Sequence, residues 1–235
     1  MATSETIQWT YGVVAFLDVL GFSSFVAADA KSSVPVHLER IIAALRDARS
    51  SAYAKELEVR AFSDSIVISA QLRPEAIFGL FLAVIDLQRR FMTKGVLIRG
   101  GIAFGKHHSS PDAIYSEALI RAYELERDQA RFPRVLVDSD LLDWFSNDQA
   151  TTSKMSVEIN SRLLRDRDNL VFLSYLEADI LDAHMKLLLS YNVENVTASV
   201  LEKLQWLASY HNYCAESLGA KAIVNGSLIV PFQPV

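Results

Sequence analysis

Two aspartates lie in strongly apolar surroundings, where a carboxylate needs a partner. Asp18 ends the apolar run 13–17, and Asp64 interrupts another apolar stretch, 61–68, which reads AFSDSIVI. A buried carboxylate is costly unless it is hydrogen-bonded, ion-paired or bound to a cation. Taken singly, either aspartate fits an ordinary cap or turn residue. Taken together, in matching settings, the two predict a pair of metal-binding carboxylates.

Two carboxylates at neighbouring strand ends would suit Mg²⁺ or Mn²⁺, which takes one or two protein carboxylates and completes its shell with water and phosphate oxygens. Two such ions can activate an attacking hydroxyl and stabilise a leaving pyrophosphate. In the loop Leu20 to Phe22, which follows Asp18, Gly21 lets backbone N–H groups come close to a triphosphate. These residues therefore predict a site for two divalent cations and a triphosphate.

The elements that must position these residues follow from the apolar periodicity. Residues 13–17 predict a strand covered on both faces, and Pro35 opens a helix with an apolar stripe from Leu38 to Leu45. Residues 57–62 and 66–68 predict a hairpin with Asp64 at its tip. A helix over about 75–91, a strand over 96–104, a helix over 116–130 and a strand over 134–137 follow.

The order β, α, β, β, α, β, α, β predicts an α+β fold with a ferredoxin-like core, a mixed, mainly antiparallel sheet with helices on one face. Within the strand over 96–104, Gly100 and Gly101 require the backbone to bend or to approach another element closely. The segment from about 141 to 235 predicts a mostly helical C-terminal elaboration that ends in an apolar strand from Ala222 to Val230. Because no linker composition separates the parts, residues 1–235 are expected to form a single domain with a core over about 10–140.

The composition excludes several classes of partner. The formal net charge of -5 lacks the basic footprint that binding to a nucleic-acid backbone requires. The lone cysteine, Cys214, offers neither a disulfide framework nor a thiolate metal site. The N-terminus lacks the pattern of a signal peptide, and the apolar run 76–85 is too short to span a bilayer. The expected protein is soluble and cytoplasmic, with no nucleic-acid or membrane partner.

Around the two aspartates the sequence resembles the class III nucleotidyl cyclase family, and most closely the bacterial pyrimidine cyclases of the Pycsar anti-phage system. The resemblance covers about the first 140 residues. The matching segments are FLDVLGF at 16–22, FSDSIVIS at 62–69, IRGGIAFG at 98–105, SEALIRAYELE at 116–126 and FPRVLVD at 132–138. The first two are fairly specific, whereas the glycine segment alone would be weak.

The resemblance implies that Asp18 and Asp64 hold two Mg²⁺ or Mn²⁺ ions, which close a nucleoside triphosphate into a cyclic monophosphate. It also implies a head-to-tail homodimer with active sites at the interface, metal carboxylates from one subunit and base-reading residues from the other. The cyclic nucleotide would be a second messenger for a separately encoded effector protein that acts against the infected cell.

Two departures from the adenylate and guanylate cyclases favour a pyrimidine substrate. The position four before the second aspartate, a Lys or Glu in those enzymes, is Arg60 here. In the helix over 116–130, Ile120 and Glu124 occupy the positions where those enzymes have an Asn and, four residues later, an Arg that stabilises the transition state. Arg60 can donate to a base carbonyl, and uracil offers two, which favours UTP over CTP. A solvated arginine on an edge strand explains Arg60 equally well.

Charge on the transferred phosphoryl group still needs a cation, for which Arg99 and Arg121 are the candidates. For each, a structural ion pair is an equal alternative. Tyr115, like Tyr53, could stack on a base, although ordinary packing explains both. Three other functions stay open: a purine cyclase, a catalytically inactive nucleotide-binding module of the same fold, and an RNA-binding module, which the net charge disfavours.

Overall fold

The structure is a computed structural model that describes residues 8–49, 53, 56–191, 196–220 and 233–234. Within these residues the strands are β1 (Thr10–Val19), β2 (Glu58–Phe62), β3 (Ser65–Gln71), β4 (Ile98–Ser109), β5 (Ile114–Ser116), β6 (Val135–Val137), β7 (Leu163–Arg165), β8 (Val171–Leu173) and β9 (Gln233–Pro234). The α-helices are α1 (Phe22–Asp29), α2 (Val36–Arg49), α3 (Pro74–Thr93), α4 (Glu117–Gln129), α5 (Ser139–Asn147), α6 (Ser153–Asn160), α7 (Leu181–Leu189) and α8 (Ala198–Ser217).

The strands form one sheet in the order β2-β3-β1-β4-β6-β8-β7-β9, with β5 paired to β4. The pairing of β4 with β6 is parallel, and the other pairings are antiparallel. The first four strands, with helices between β1 and β2 and between β3 and β4, have the ferredoxin-like arrangement. The predicted α+β class with a mainly antiparallel sheet is therefore confirmed.

The C-terminal part is mostly helical, as predicted, but it also extends the sheet. Two strands of three residues, β7 and β8, join the edge beyond β6 through the pair Leu136 and Phe172. The sequence pattern did not predict these strands. The apolar strand expected from Ala222 to Val230 lies outside the described residues.

The sheet has helices on both faces, so the expectation of helices on one face is wrong. Alternate residues of β1, such as Val13 and Leu17, are fully buried in the main core with residues of α2 and α3. The intervening residue Val14 belongs to a smaller core with Ala118 of α4, which lies on the opposite face. Asp18 shares this second face because it lies an even number of residues from Val14 along β1.

Glycines in β4 explain why α4 can lie directly on the sheet. A Cβ added to Gly101 would lie 2.5 Å from the carbonyl oxygen of Ala122 in α4, and one added to Gly105 would lie 3.1 Å from the amide nitrogen of Ala118. Gly100 is close to the neighbouring strand instead, where an added Cβ would lie 2.5 Å from the carbonyl oxygen of Phe16. Of the two roles predicted for these glycines, close approach is therefore the one observed. The position of α4 relative to β4 is fixed by contacts between backbones.

Local sequence signals account for the boundaries of the elements near the aspartates. The hydroxyl of Ser116 accepts a hydrogen bond from the Leu119 amide (3.0 Å) and caps α4. The β2–β3 turn places Ser63 at φ 53° and Asp64 beside it, so Asp64 lies at the tip of the hairpin as predicted. Among the described residues, no helix is long and apolar enough to cross a bilayer.

Candidate functional site

Asp18 and Asp64 lie at the same end of two adjacent strands. Asp18 pairs with Ser65, the residue that follows Asp64 in the chain. The amide of Val19 donates a hydrogen bond to the carbonyl oxygen of Asp64 (2.9 Å), which joins the end of β1 to the hairpin tip. The structure therefore brings together the two residues that the sequence singled out.

Arg99 connects Asp18 to α4 through all three nitrogens of its guanidinium. Nε donates to Oδ2 of Asp18 (3.0 Å), and Nη1 donates to the carbonyl oxygen of Ala130 (3.2 Å). Nη2 lies 2.8 Å from Oε1 of Glu126. The sequence selected Arg99 as a candidate cation for phosphate, and the structure places it beside one of the two aspartates.

Glu126 is a third carboxylate at this site that the sequence interpretation missed. Its exposed fraction is 3%. Burial raises its pKa, Arg99 opposes that shift, and the charges of Asp18 and Asp64 raise the pKa further. Both aspartates therefore act electrostatically on the same buried side chain, together with one guanidinium.

A signal for Glu126 was available in the sequence. It lies four residues after Ala122 and eight after Ala118, on the stripe of α4 that faces the sheet. A carboxylate in register with small buried residues is unusual on an amphipathic helix. The apolar spacing that predicts this helix is that of Leu119, Ala122, Tyr123 and Leu125, which leaves Glu126 out.

The carboxylate oxygens at the site are suitable ligands for a divalent cation. Within the described residues, Oδ1 of Asp18 and the carboxylate of Asp64 accept no side-chain or backbone hydrogen bond. Both are hard oxygen ligands, as Mg²⁺ and Mn²⁺ require. No group of three or more His, Cys, Asp or Glu side chains in the described residues is arranged to hold a metal. Cations held here would need water and phosphate oxygens to complete their shells.

The loop after β1 offers some of the predicted backbone donors. Gly21 has φ 78°, in the left-handed region, and precedes the first turn of α1. The amides of the first helical turn have no partner within a helix, so those of Phe22 and Ser23 can face a ligand. The amide of Leu20 is already used, because it donates to the carbonyl oxygen of Leu97 (2.9 Å). Leu20 can therefore contribute shape but not an N–H group.

Arg60, the predicted base-reading residue, lies on β2 and has partners of its own. Nε donates to Oε1 of Glu58 (2.7 Å), and Nη2 donates to the hydroxyl of Ser109 (3.3 Å) and to the carbonyl oxygen of Ser110. These contacts link β2 to the end of β4. Arg60 contacts neither Asp18 nor Asp64, so the structure does not place it beside them within one chain.

Arg121 lies in a separate ion-pair network. Its Nη2 donates to Oδ2 of Asp138 (2.8 Å) and of Asp140 (2.9 Å), and its Nη1 donates to the carbonyl oxygen of Phe104 (3.3 Å). Asp138 also caps α5. The structure therefore gives Arg121 structural partners and does not bring it to Asp18.

Tyr115, predicted to bind substrate, is 70% exposed, and its ring packs on Trp9 with centroids 5.4 Å apart. It pairs with His108, nine positions along β4 from Arg99. Tyr115 makes no hydrogen bond or ring contact with Asp18 or Asp64 within the described residues. The structure therefore does not bring Tyr115 into contact with Asp18 within one chain.

The face that carries Asp18 has exposed apolar side chains next to the site. Phe62, Ile120 and Tyr123 have exposed fractions of 63%, 58% and 41%. We call these three residues the open-face patch. The ring of Tyr123 meets Phe16 edge to face at 5.3 Å, which joins the patch to β1 beside the site.

The fold is similar to that of solved nucleotide cyclases. The adenylyl cyclase CyaB from P. aeruginosa matches with a TM-score of 0.50 at 12% identity, over 73% of this chain and 97% of that chain. A bacterial light-regulated adenylyl cyclase matches with a TM-score of 0.47 at 13% identity, over 88% of this chain and 59% of that chain. The monomeric guanylyl cyclase domain of the RhoGC fusion protein from the aquatic fungus Blastocladiella emersonii matches with a TM-score of 0.48 at 11% identity. The match covers 73% of this chain and 98% of that chain.

The likeness to CyaB shows that the chain has the mixed α+β fold of a class III cyclase domain. At this identity it shows the fold alone, since one fold supports many functions. No family model matches the chain, and no curated protein matches it in sequence. Function must therefore be argued from the site.

Proposed function

We propose that this protein is a nucleotidyl cyclase, an enzyme that converts a nucleoside triphosphate to the 3′,5′-cyclic monophosphate and pyrophosphate. The observation that carries the proposal is the meeting of Asp18 and Asp64 at one end of two adjacent strands, on a cyclase fold. Their free carboxylate oxygens suit two divalent cations, and the cations supply charge neutralisation and a lowered pKa for the attacking hydroxyl.

In this reaction a bond forms between the 3′-oxygen and the α-phosphorus while the bond from that phosphorus to the bridging oxygen breaks, and the hydroxyl proton passes to solvent. Asp18 and Asp64 would hold Mg²⁺ or Mn²⁺ against the phosphates. The amides of Phe22 and Ser23 would bind phosphate oxygens at the start of α1. The guanidinium of Arg99, beside Asp18, would stabilise the charge that develops on the phosphoryl group.

The proposed substrate is a pyrimidine nucleotide, UTP rather than CTP. The support is the resemblance of the helix to that of the pyrimidine cyclases and the presence of Ile120 and Glu124, both exposed on α4, where purine cyclases have Asn and Arg. Arg60 would donate to a uracil carbonyl after releasing Ser109 or Glu58. In this proposal the product is an anti-phage second messenger for a separate effector protein in the cytoplasm.

The active form is proposed to be a head-to-tail homodimer. The open-face patch, beside Asp18, offers an apolar surface for a second copy. Arg60, Arg121 and Tyr115 do not reach Asp18 within one chain, so each would serve the site of a second copy. A monomer would then bind the cations but would lack the residues that recognise the nucleotide base.

Purified protein incubated with Mn²⁺ and each of UTP, CTP, ATP and GTP tests the proposal, with products identified by mass. Cyclic UMP is expected, and D18N and D64N should each reduce turnover at least 1000-fold while leaving the melting temperature within a few degrees. The control D143N removes an exposed carboxylate on α5 and should retain full activity. A cyclic purine product would refute the pyrimidine assignment. Nucleotide binding without any pyrophosphate release would indicate an inactive binding module and overturn the enzyme proposal.

A further inference from the structure

The guanidinium of Arg99 is shared between two carboxylates. The edge of an arginine formed by Nε and Nη2 commonly binds both oxygens of one carboxylate as a fork. Here Nε binds Oδ2 of Asp18 at 3.0 Å, whereas Nη2 lies 2.8 Å from Oε1 of Glu126 in an ion pair that lacks hydrogen-bond geometry. Asp18 therefore receives one bond from Arg99 instead of two, and its Oδ1 is left without a hydrogen bond from the described residues.

The third nitrogen of Arg99 strengthens this arrangement. Nη1 donates to the carbonyl oxygen of Ala130, just beyond the end of α4. Two of the three contacts of the guanidinium are thus made with α4 or its C-terminal cap, and only one with β1. The orientation of the guanidinium is therefore constrained by α4 and its C-terminal cap as well as by Asp18.

Helix α4, which contacts the side chain of Arg99, is itself fixed against the sheet. At Gly101 there is no room for a Cβ between β4 and the backbone of α4 at Ala122 and Glu126. Because α4 packs backbone against backbone, Glu126 cannot follow Arg99 if the arginine moves toward Asp18. Glu126 is 3% exposed, so its carboxylate has no solvent to rotate into.

The local charge balance is consistent with a cation site. When all are ionised, Asp18, Asp64 and Glu126 contribute three negative charges, and Arg99 contributes one positive charge among them. The excess of two negative charges matches one of the two proposed divalent cations, and the phosphates of the substrate would supply negative charge for the other. If the guanidinium rotated to bind both oxygens of Asp18, the free ligand oxygen of that aspartate would be lost.

We propose that Glu126 is a positioning residue that holds the Arg99 guanidinium away from Oδ1 of Asp18, so that this oxygen stays free for a divalent cation. This inference rests on the proposed function. Removing the charge of Glu126 leaves Asp18 as the strongest carboxylate partner of Arg99, and the guanidinium then competes directly with the cation.

Mn²⁺ affinity in the absence of nucleotide, measured from the signal of free Mn²⁺ in electron paramagnetic resonance, tests this role without turnover. E126Q should weaken Mn²⁺ binding about tenfold, since an ion pair in fork geometry must then be opened. R99Q should strengthen binding at least fivefold because the competitor is removed. The double variant should match R99Q within about twofold, because without the guanidinium Glu126 has nothing to hold.

The matched control is D128N, which removes a carboxylate two residues further along α4 that is exposed and paired with Arg127. It should change Mn²⁺ affinity less than twofold. Equal effects of E126Q and D128N, or the same loss for E126Q with and without Arg99, would show a general effect of charge and overturn the proposal. If E126Q does not fold, the Mn²⁺ affinity of R99Q alone tests the proposal. Unchanged or weaker Mn²⁺ binding by R99Q would show that the guanidinium does not compete with the cation for Asp18.

The outcomes separate this inference from the proposed function. Wild-type protein that shows no Mn²⁺ binding dependent on Asp18 overturns the metal site itself, and with it both proposals. Wild-type protein that binds Mn²⁺ through Asp18 and makes a cyclic nucleotide, but is indifferent to E126Q, overturns the role of Glu126 only.

Discussion

Gly101→Ala is the sharpest structural test of how α4 is held on the sheet. The added Cβ would lie 2.5 Å from the carbonyl oxygen of Ala122 and 2.9 Å from Cβ of Leu125. Ordinary contact begins near 3.4 Å, so the helix must withdraw by about 0.9 Å. Backbone atoms on both sides leave no flexible side chain to give way.

The expected cost of Gly101→Ala is about 2 kcal/mol of unfolding free energy, typical of overpacking in a core. For a chain of this length that lowers the melting temperature by roughly 6 °C. The withdrawal also stretches the 2.8 Å contact between Arg99 and Glu126, so turnover should fall at least tenfold under the proposed function. Urea unfolding and the cyclase assay measure the two effects separately.

Gly79→Ala is the matched control for this substitution. Gly79 lies inside α3, where the nearest atom to an added Cβ is the carbonyl oxygen of Tyr53 at 3.9 Å. Alanine is favoured over glycine in a helix by up to about 1 kcal/mol, so this variant should be as stable as wild type or more stable. If Gly101→Ala is no less stable than Gly79→Ala, α4 does not pack on β4 as described.

Three further predictions concern the C-terminal part. Arg134 is fully buried and ion-paired with Asp166, so Arg134→Met leaves a buried carboxylate without its cation and should cost about 3–5 kcal/mol in urea unfolding. Burial, and then the charge of His211, lower the pKa of His184 to about 3. Because the unfolded chain takes up this proton near pH 6.5 and the folded chain does not, the stability present above pH 6.5 should fall on acidification, by about 2 kcal/mol at pH 5, and His184→Gln should flatten the profile. Burial raises the pKa of Cys214 to about 12, so its thiol should resist a disulfide reagent at pH 8 until urea unfolds the protein.

The parts of the fold that the sequence predicted have strong local signals. The apolar run of β1 extends over several residues, and Pro35 marks the start of a helix that begins at Val36 in the structure. The turn at Asp64 interrupts an alternating pattern, which is a reliable hairpin signal. For these elements, residues near in sequence determine the structure.

The parts that the sequence did not predict depend on distant contacts. Strands β7 and β8 have three residues each, too few to show alternation. Only the pairing of β8 with β6 and of β7 with β8 makes them part of the sheet. The side of the sheet that α4 occupies depends on glycines in β4, whose close approach cannot be told from a bend without the partner.

The candidate site shows the same division. The two aspartates could be predicted because each stands in an apolar segment of its own. The roles expected of Arg60, Arg121 and Tyr115 stay predictions, since their contacts within one chain lie away from Asp18. Glu126 was missed because its partner Arg99 belongs to another element, and a helical pattern reports apolar stripes more clearly than buried charges.

Helix α1 begins four residues after Asp18, yet none of its side chains is buried. An element that buries so little contributes little to the global unfolding free energy and can open without disturbing the core. The slowly exchanging scaffold of β1 and β4 therefore ends abruptly at Gly21. Under the proposed function the phosphates would lie against α1, whose amide hydrogens should exchange faster than those of β1 and β4 and whose sequence could drift without loss of folding.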